Sequence, residues 1–368
     1  MKRRTHAFAR RASGCGFAAL LLLAAGATRC ESTDPGCNDL SCATRFVRGE
    51  DADPGGGARA APAPTVDSVS KPGPHKVAKL GESDGLRNGP GYKGATVYFP
   101  RDGQPPYGSV VIVPGYVSPE RSIKAWGPFY ASHGIVAMTI GTNSSRDRPK
   151  ARSLALLDAI TSLRAENKRA GSPLRGRLDV TRFAVSGWSM GGGGAQLAAV
   201  GMPQLKAVVA LCPWKPNAKF SHSVPVLIFG GSKDNLAPVS KNASPHYKNT
   251  PHNTPKLLFE VRGAGHWIAN DPQGANGAVG RFGLCWLKVF LDGDPRYRQF
   301  LLVKPPTASQ FLNNLARPKA ATGAVFRVGP PSSLGRFDFD RGPVGPRDSP
   351  SPAPVSGYRP AALTALRR

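Results

Sequence analysis

Gly187-Trp188-Ser189-Met190-Gly191 follows the apolar run Phe183-Ala184-Val185 and precedes Gly192-Gly193-Gly194-Ala195-Gln196-Leu197-Ala198-Ala199. The apolar run reads as a buried strand and the small-residue run as the start of a helix. Strand, G-x-S-x-G and helix in that order make a nucleophile elbow, whose serine sits on a turn sharp enough to strain its backbone. Glycines two before and two after the serine let neighbouring main chain pass without a Cβ clash. The turn lifts the Ser189 hydroxyl clear of the sheet, at the positive end of a helix dipole.

Outward from the elbow, residues 95–99, 109–113, 135–140, 207–211, 226–229 and 257–261 are short apolar runs that read as strands. Residues 122–133, 152–167 and 277–291 read as helices. In the second helix Leu154, Leu157, Ile160 and Leu163 recur at helical spacing. Near-continuous apolar strands separated by helices predict an α/β fold, with a mostly parallel sheet covered on both faces.

A serine hydroxyl is a weak nucleophile until a base takes its proton, and the base needs an orienting acid. In an open α/β sheet these groups belong beyond the carboxyl ends of strands. After an elbow serine the chain order is acid, then histidine. His133 and His222 precede strands and fall at the wrong edge. His246 and His252 lie in a polar stretch and read as solvent-exposed. His266 follows the strand ending at Val261 through Gly263-Ala264-Gly265 and is the expected base. Asp234 follows the strand ending at Phe229 through Gly230-Gly231 and is the expected acid, whereas Asp271 comes after His266, in the wrong order. The oxyanion needs two main-chain donors. Met190, next after the serine, supplies one. Tyr116, in the Pro114-Gly115-Tyr116 loop after the strand at 109–113, supplies the other.

Length, 368 residues, allows one large domain, and net charge is +26. Residues 1–27 read as an export signal: Lys2, Arg3, Arg4, Arg10 and Arg11 precede an apolar stretch at 17–25, and Ala25-Gly26-Ala27 is a cleavage site. That stretch is too short to span a bilayer, so a secreted protein without an integral membrane segment is expected. Cys30 raises the alternative of a lipid anchor, although Arg29 stands where a small residue is usual. Residues 28–89 read as a disordered polar linker, 90–304 as the catalytic domain and 305–368 as a disordered Pro/Arg-rich tail. The domain at 90–304 carries +16. Such charge favours anionic partners, but no aromatic RNA-binding pattern or zinc-finger spacing accompanies it, so nucleic acid is not expected as a partner. Of six cysteines, Cys37 and Cys42 could close only a tiny loop, while Cys212 and Cys285 read as buried thiols. No Cys/His spacing suits a metal.

Pro114-Gly115-Tyr116, Trp126-Gly127-Pro128, Ser132-His133-Gly134, Thr142-Asn143-Ser144, the elbow with its glycine run, Pro213-Trp214 and Ala237-Pro238-Val239 occur in that order. Together they resemble the bacterial cutinases and poly(ethylene terephthalate) hydrolases of the polyesterase-lipase-cutinase family, over about residues 88–303. The resemblance implies an α/β-hydrolase fold, Ser189, Asp234 and His266 as triad, and Tyr116 and Met190 as oxyanion donors. It implies Tyr116, Trp188 and Trp214 as walls of a shallow cleft, and no cofactor. The chain departs from the family pattern in three places. No cysteine follows Phe300, so the C-terminal disulfide is missing. Gly231 and Ile268 stand where a second disulfide would lie. Trp267 follows the histidine and should narrow the cleft, favouring aliphatic over rigid aromatic polyesters.

Only 14 residues separate the strand ending at Leu211 from that starting at Val226, too few for the lid that lipases insert there. An uncovered groove is expected, where Trp188, Trp214 and Trp267 can cover an ester chain. The expected protein is a monomeric serine esterase acting on polyesters. The alternatives are a small-molecule carboxylesterase or acetylhydrolase, and a non-catalytic envelope-binding protein.

Overall fold

In strand β3 (Tyr107–Val113) every residue is buried, and its side chains alternate between two cores. Val110 and Ile112 face one layer of helices, and Val111 and Val113 face the other. Such two-sided burial is what a near-continuous apolar run requires. This architecture comes from a computed structural model that describes residues 62–315. The expected export signal, most of the expected linker, Cys30, Cys37, Cys42 and nearly all of the expected tail lie outside those residues.

The remaining elements are α1 (Val66–Ser70), β1 (Val77–Gly81), β2 (Ala95–Pro100), α2 (Trp126–Ser132), β4 (Val136–Ile140) and α3 (Pro149–Glu166). They continue with β5 (Leu178–Trp188), α4 (Met190–Gly201), β6 (Ala207–Leu211), β7 (Val226–Gly231), α5 (Ala243–Lys248), β8 (Lys256–Val261), α6 (Ala278–Phe290) and β9 (Ala308–Asn313). The nine strands form one sheet in the order β1-β2-β4-β3-β5-β6-β7-β8-β9. Strands β4, β3, β5, β6, β7 and β8 are parallel, while β1, β2 and β9 pair antiparallel. From β3 the chain moves to one side to form β4 and then returns to the other side to form β5. The reversal opens a crevice beyond the carboxyl ends of β3 and β5, the usual ligand site of open α/β sheets.

Four expectations need correction. The linker does not extend to residue 89. Strand β1 pairs with β2 from Val77↔Pro100 to Gly81↔Thr96, and Val69, Leu80 and Leu86 are buried. The tail does not begin at 305 either, because β9 pairs with β8 and Phe311 packs against Phe282, ring centres 5.6 Å apart. Both are short edge strands set among Pro- and Gly-rich neighbours. The helix expected over 122–133 begins at Trp126, preceded by a 3-10 turn at Glu120–Ile123. Pro128 lacks an N–H and fits only the first helical turn, so it fixes the start close to itself. In α3 the buried face runs through Arg152, Ala155, Leu156, Ala159, Ile160 and Leu163, and Leu154 is exposed.

The glycines opening α4 are costly in a helix, roughly 1 kcal/mol each against alanine. They stand where neighbouring backbone leaves no room. A Cβ at Gly191 would lie 2.5 Å from the Val113 carbonyl oxygen, and one at Gly193 would lie 2.6 Å from that of Trp214. This thin helix end lets the loops after β3 and β6 close around Ser189. Cys212 and Cys285 are buried free thiols.

Candidate active site

Ser189 sits between β5 and α4 at φ 56°, ψ −120°, a left-handed angle that strains a residue with a Cβ. Three main-chain hydrogen bonds hold it there. Its N–H donates to Leu211 O at 2.9 Å, and its carbonyl accepts from Trp214 N at 2.7 Å and Gly193 N at 3.2 Å. The turn is so tight that a Cβ at Gly187 would collide with the Gly191 carbonyl.

The loops after β7 and β8 bring Asp234 and His266 together. His266 Nδ1 lies 2.6 Å from Asp234 Oδ2. The other carboxylate oxygen accepts from Leu236 N at 2.9 Å and Ala237 N at 2.7 Å, so both oxygens are engaged and the carboxylate is fixed in plane. The loops are laced to each other. Lys233 N donates to Ala264 O at 2.8 Å, and Gly263 N donates to Ser232 Oγ at 2.7 Å. Asp234 and His266 are buried at 4% and 6% exposure. With Nδ1 turned to the carboxylate, Nε2 is the nitrogen left for a hydroxyl.

Trp188 links this pair to the elbow. Its indole N–H donates to the His266 carbonyl at 3.0 Å, and its ring centre lies 5.0 Å from that of His266. The loop Pro114-Gly115-Tyr116 closes the other side. A Cβ at Gly115 would lie 3.0 Å from Ser189 Cβ and 2.8 Å from the Trp188 ring, so only glycine lets the loop approach so closely. Tyr116 N–H follows directly, and among the described residues it pairs with no main-chain carbonyl. Met190 N–H opens α4 and has no carbonyl one turn back within the helix. Met190 thus adjoins Ser189 in the chain, and Tyr116 follows the glycine that packs on Ser189.

The expected aromatic walls differ from one another. Trp267 is 60% exposed and lies against Trp188, ring centres 4.4 Å apart. Tyr116 is 41% exposed and Trp214 is half-buried. Trp188 does not form a wall: at 2% exposure it lies beneath Trp267, its ring spent on His266 and Trp267. Val117 and Leu236, on the loops that carry Tyr116 and Asp234, are likewise exposed and apolar, and sequence reasoning passed over both. Each is next or next but one to an expected site residue, which was the only signal available. Residues 212–225, between β6 and β7, hold no helix.

His246 also departs from expectation. It is fully buried, with Nδ1 2.6 Å from Gln196 Nε2 and Nε2 3.1 Å from Lys215 O. Burial pushes it down to about 3. His252 is exposed. Among the described residues no group of three or more His, Cys, Asp and Glu side chains could hold a metal ion, and no helix is long and apolar enough to cross a membrane.

A family model described as PET hydrolase-like matches residues 53–317. The chain is 40% identical over 234 residues to Cutinase 1 of Thermobifida cellulosilytica, covering 63% of this chain and 86% of that protein. Against a cutinase of Thermobifida fusca (strain YX) it is 40% identical over 234 residues, covering 63% and 75%. It is 38% identical over 249 residues to a bis(hydroxyethyl) terephthalate hydrolase of Streptomyces coelicolor, covering 66% and 76%.

Proposed function

Because this chain belongs to the PET hydrolase-like family, whose α/β-hydrolase fold and carboxylic ester hydrolase activity it shares, we propose that it is a secreted polyesterase with Ser189, His266 and Asp234 as its triad. The observation carrying this reading is the 2.6 Å contact of His266 Nδ1 with a buried carboxylate, on a loop hydrogen-bonded by Trp188, the residue before the strained elbow serine. In the proposed mechanism His266 Nε2 takes the proton of Ser189 as its oxygen attacks the ester carbonyl. Asp234 holds the ring and stabilises its cation. The N–H groups of Tyr116 and Met190 receive the oxyanion, each supplying about 3 kcal/mol. His266 protonates the leaving alcohol. It then activates water, which cleaves the acyl-enzyme.

Polyester is favoured over a buried small ester by the apolar side chains of Tyr116, Val117, Leu236 and Trp267, which lie open to solvent. A chain on a solid surface can reach them. The bulk of Trp267 favours flexible aliphatic chains over rigid aromatic ones. The catalytic domain proposed here spans 65–315, acts as a monomer, and needs neither cofactor nor nucleic acid. Export rests on the charged and apolar pattern of residues 1–27. A second reading, hydrolysis of soluble diesters, is favoured by the name of the Streptomyces relative.

The test is product analysis on a short-chain aryl ester, bis(hydroxyethyl) terephthalate and dispersed aliphatic polyester, with Ser189→Ala as control. The polyesterase reading expects clearing of the polymer and loss of all three activities in the variant. Activity confined to soluble esters supports the second reading. Activity surviving Ser189→Ala removes the proposed nucleophile.

A further inference from the structure

Arg152 is the most unusual charged residue of the fold. It sits on the core face of α3 and is completely buried. Among the described residues no salt bridge is formed with it, and the carboxylate of Asp147 offsets its burial only through a longer-range attraction. Burying an unpaired guanidinium costs several kcal/mol after relaxation, and an apolar residue of like size is usually tolerated better at such a position. Its planar fork is spent on three main-chain carbonyls. Nε donates to Asp147 O at 2.9 Å, Nη1 to Pro114 O at 2.8 Å and Nη2 to Ser145 O at 3.1 Å.

Two of those acceptors flank Tyr116. Pro114 lies two residues before it. Ser145 O, besides taking Nη2, accepts the N–H of Val117 at 2.6 Å, one residue after Tyr116. Val117 is β-branched yet sits at φ 51°, an outlier that this hydrogen bond helps to hold. The segment 114–117 is therefore tied down on both sides of Tyr116 N–H, and the ties meet at one guanidinium. The same side chain touches the elbow helix, since a Cβ at Gly194 would lie 2.9 Å from Arg152 Cβ.

We propose that Arg152 is the positioning residue of the oxyanion site: by fixing the Pro114 and Ser145 carbonyls it holds Tyr116 N–H where the developing oxyanion of the substrate will lie. The inference rests on the triad reading above. Lysine cannot replace the fork, because an ammonium on a flexible stem does not span three carbonyls in one plane. A displaced donor affects the transition state more than the bound ester, so the loss falls on kcat and leaves KM nearly unchanged.

The experiment compares wild type, Arg152→Lys and Arg152→Gln on a soluble aryl ester. Active sites are counted by stoichiometric organophosphate labelling, melting temperature is recorded, and affinity for an alkyl boronic acid reports the tetrahedral state. Per active site, Arg152→Gln is expected to lose about 30-fold in kcat and Arg152→Lys about 10-fold, against the 10²- to 10³-fold of a donor removed outright. KM should stay within about twofold, and boronate affinity should fall in parallel with kcat. Should the glutamine variant not fold, the lysine variant carries the same comparison. A lower melting temperature with kcat per site and boronate affinity unchanged overturns the proposal and leaves Arg152 a structural staple. The triad reading fails separately, by Ser189→Ala retaining activity.

Discussion

His266 and His246 are both buried and both hydrogen-bonded, but their surroundings give them opposite uses. His266 stands on a loop beyond β8 and turns Nδ1 to a carboxylate, and in the proposed mechanism its Nε2 serves the elbow serine. His246 sits in α5, with Nδ1 on an amide and Nε2 on a carbonyl, both neutral partners. Burial alone thus makes neither a base nor a strut. A carboxylate on one nitrogen and a vacancy at the other suit proton transfer, because the carboxylate stabilises the imidazolium that forms. Burial with only neutral partners holds the His246 ring uncharged down to about pH 3, and the ring serves to hold Lys215, beside Trp214.

That contrast can be broken by exchange. His266→Ala is expected to lower kcat by about 10⁴-fold or more with a small change in melting temperature. Asp234→Asn should cost about 10³- to 10⁴-fold by presenting an amide in place of the orienting carboxylate. Both are read by steady-state kinetics on a soluble ester. His246→Ala should do the reverse. Loss of its packing and its two hydrogen bonds should cost about 2–4 kcal/mol in chemical denaturation, with kcat per titrated site within about twofold of wild type.

The neutral histidines also sharpen the comparison through pH. Burial pushes His246 down to about 3, and His133 and His222 to about 4. Their depressed folded-state values mean that the unfolded chain binds protons first as pH falls through about 6.5. Stability is therefore complete above pH ~6.5 and is lost as pH falls towards about 4, at up to ~1.4 kcal/mol per pH unit for each histidine. Denaturation midpoints at pH 7.5 and 4.5 measure the slope, and His222→Asn should flatten it. The smallest effect expected is at the exposed apolar surface. Trp267→Ala should weaken adsorption to aliphatic polyester film about fivefold by removing apolar contact, with the soluble-ester rate changed less than about twofold.

The positions of the proposed triad could be read from the sequence because each follows an apolar run that reads as a buried strand, and the fold expected from that pattern orders acid before histidine. Edge strands β1 and β9 were not legible, since each is short and pairs on one side only. The burial of Trp188 depends on Trp267 lying over it, and that of His246 on Gln196 of a distant helix. Neither contact leaves a local pattern. Arg152 was hidden for a related reason. The leucines of α3 fit two helical phases, and the phase is settled by a glycine of α4 that leaves space for the arginine stem.

The central claim, that Ser189 is a nucleophile activated by His266, is tested most directly by covalent labelling. An aryl organophosphate should add one equivalent to the folded enzyme, on the peptide containing Ser189, and label His266→Ala at least about 10³-fold more slowly. An adduct on another residue, or unchanged labelling of the His266 variant, would contradict the account.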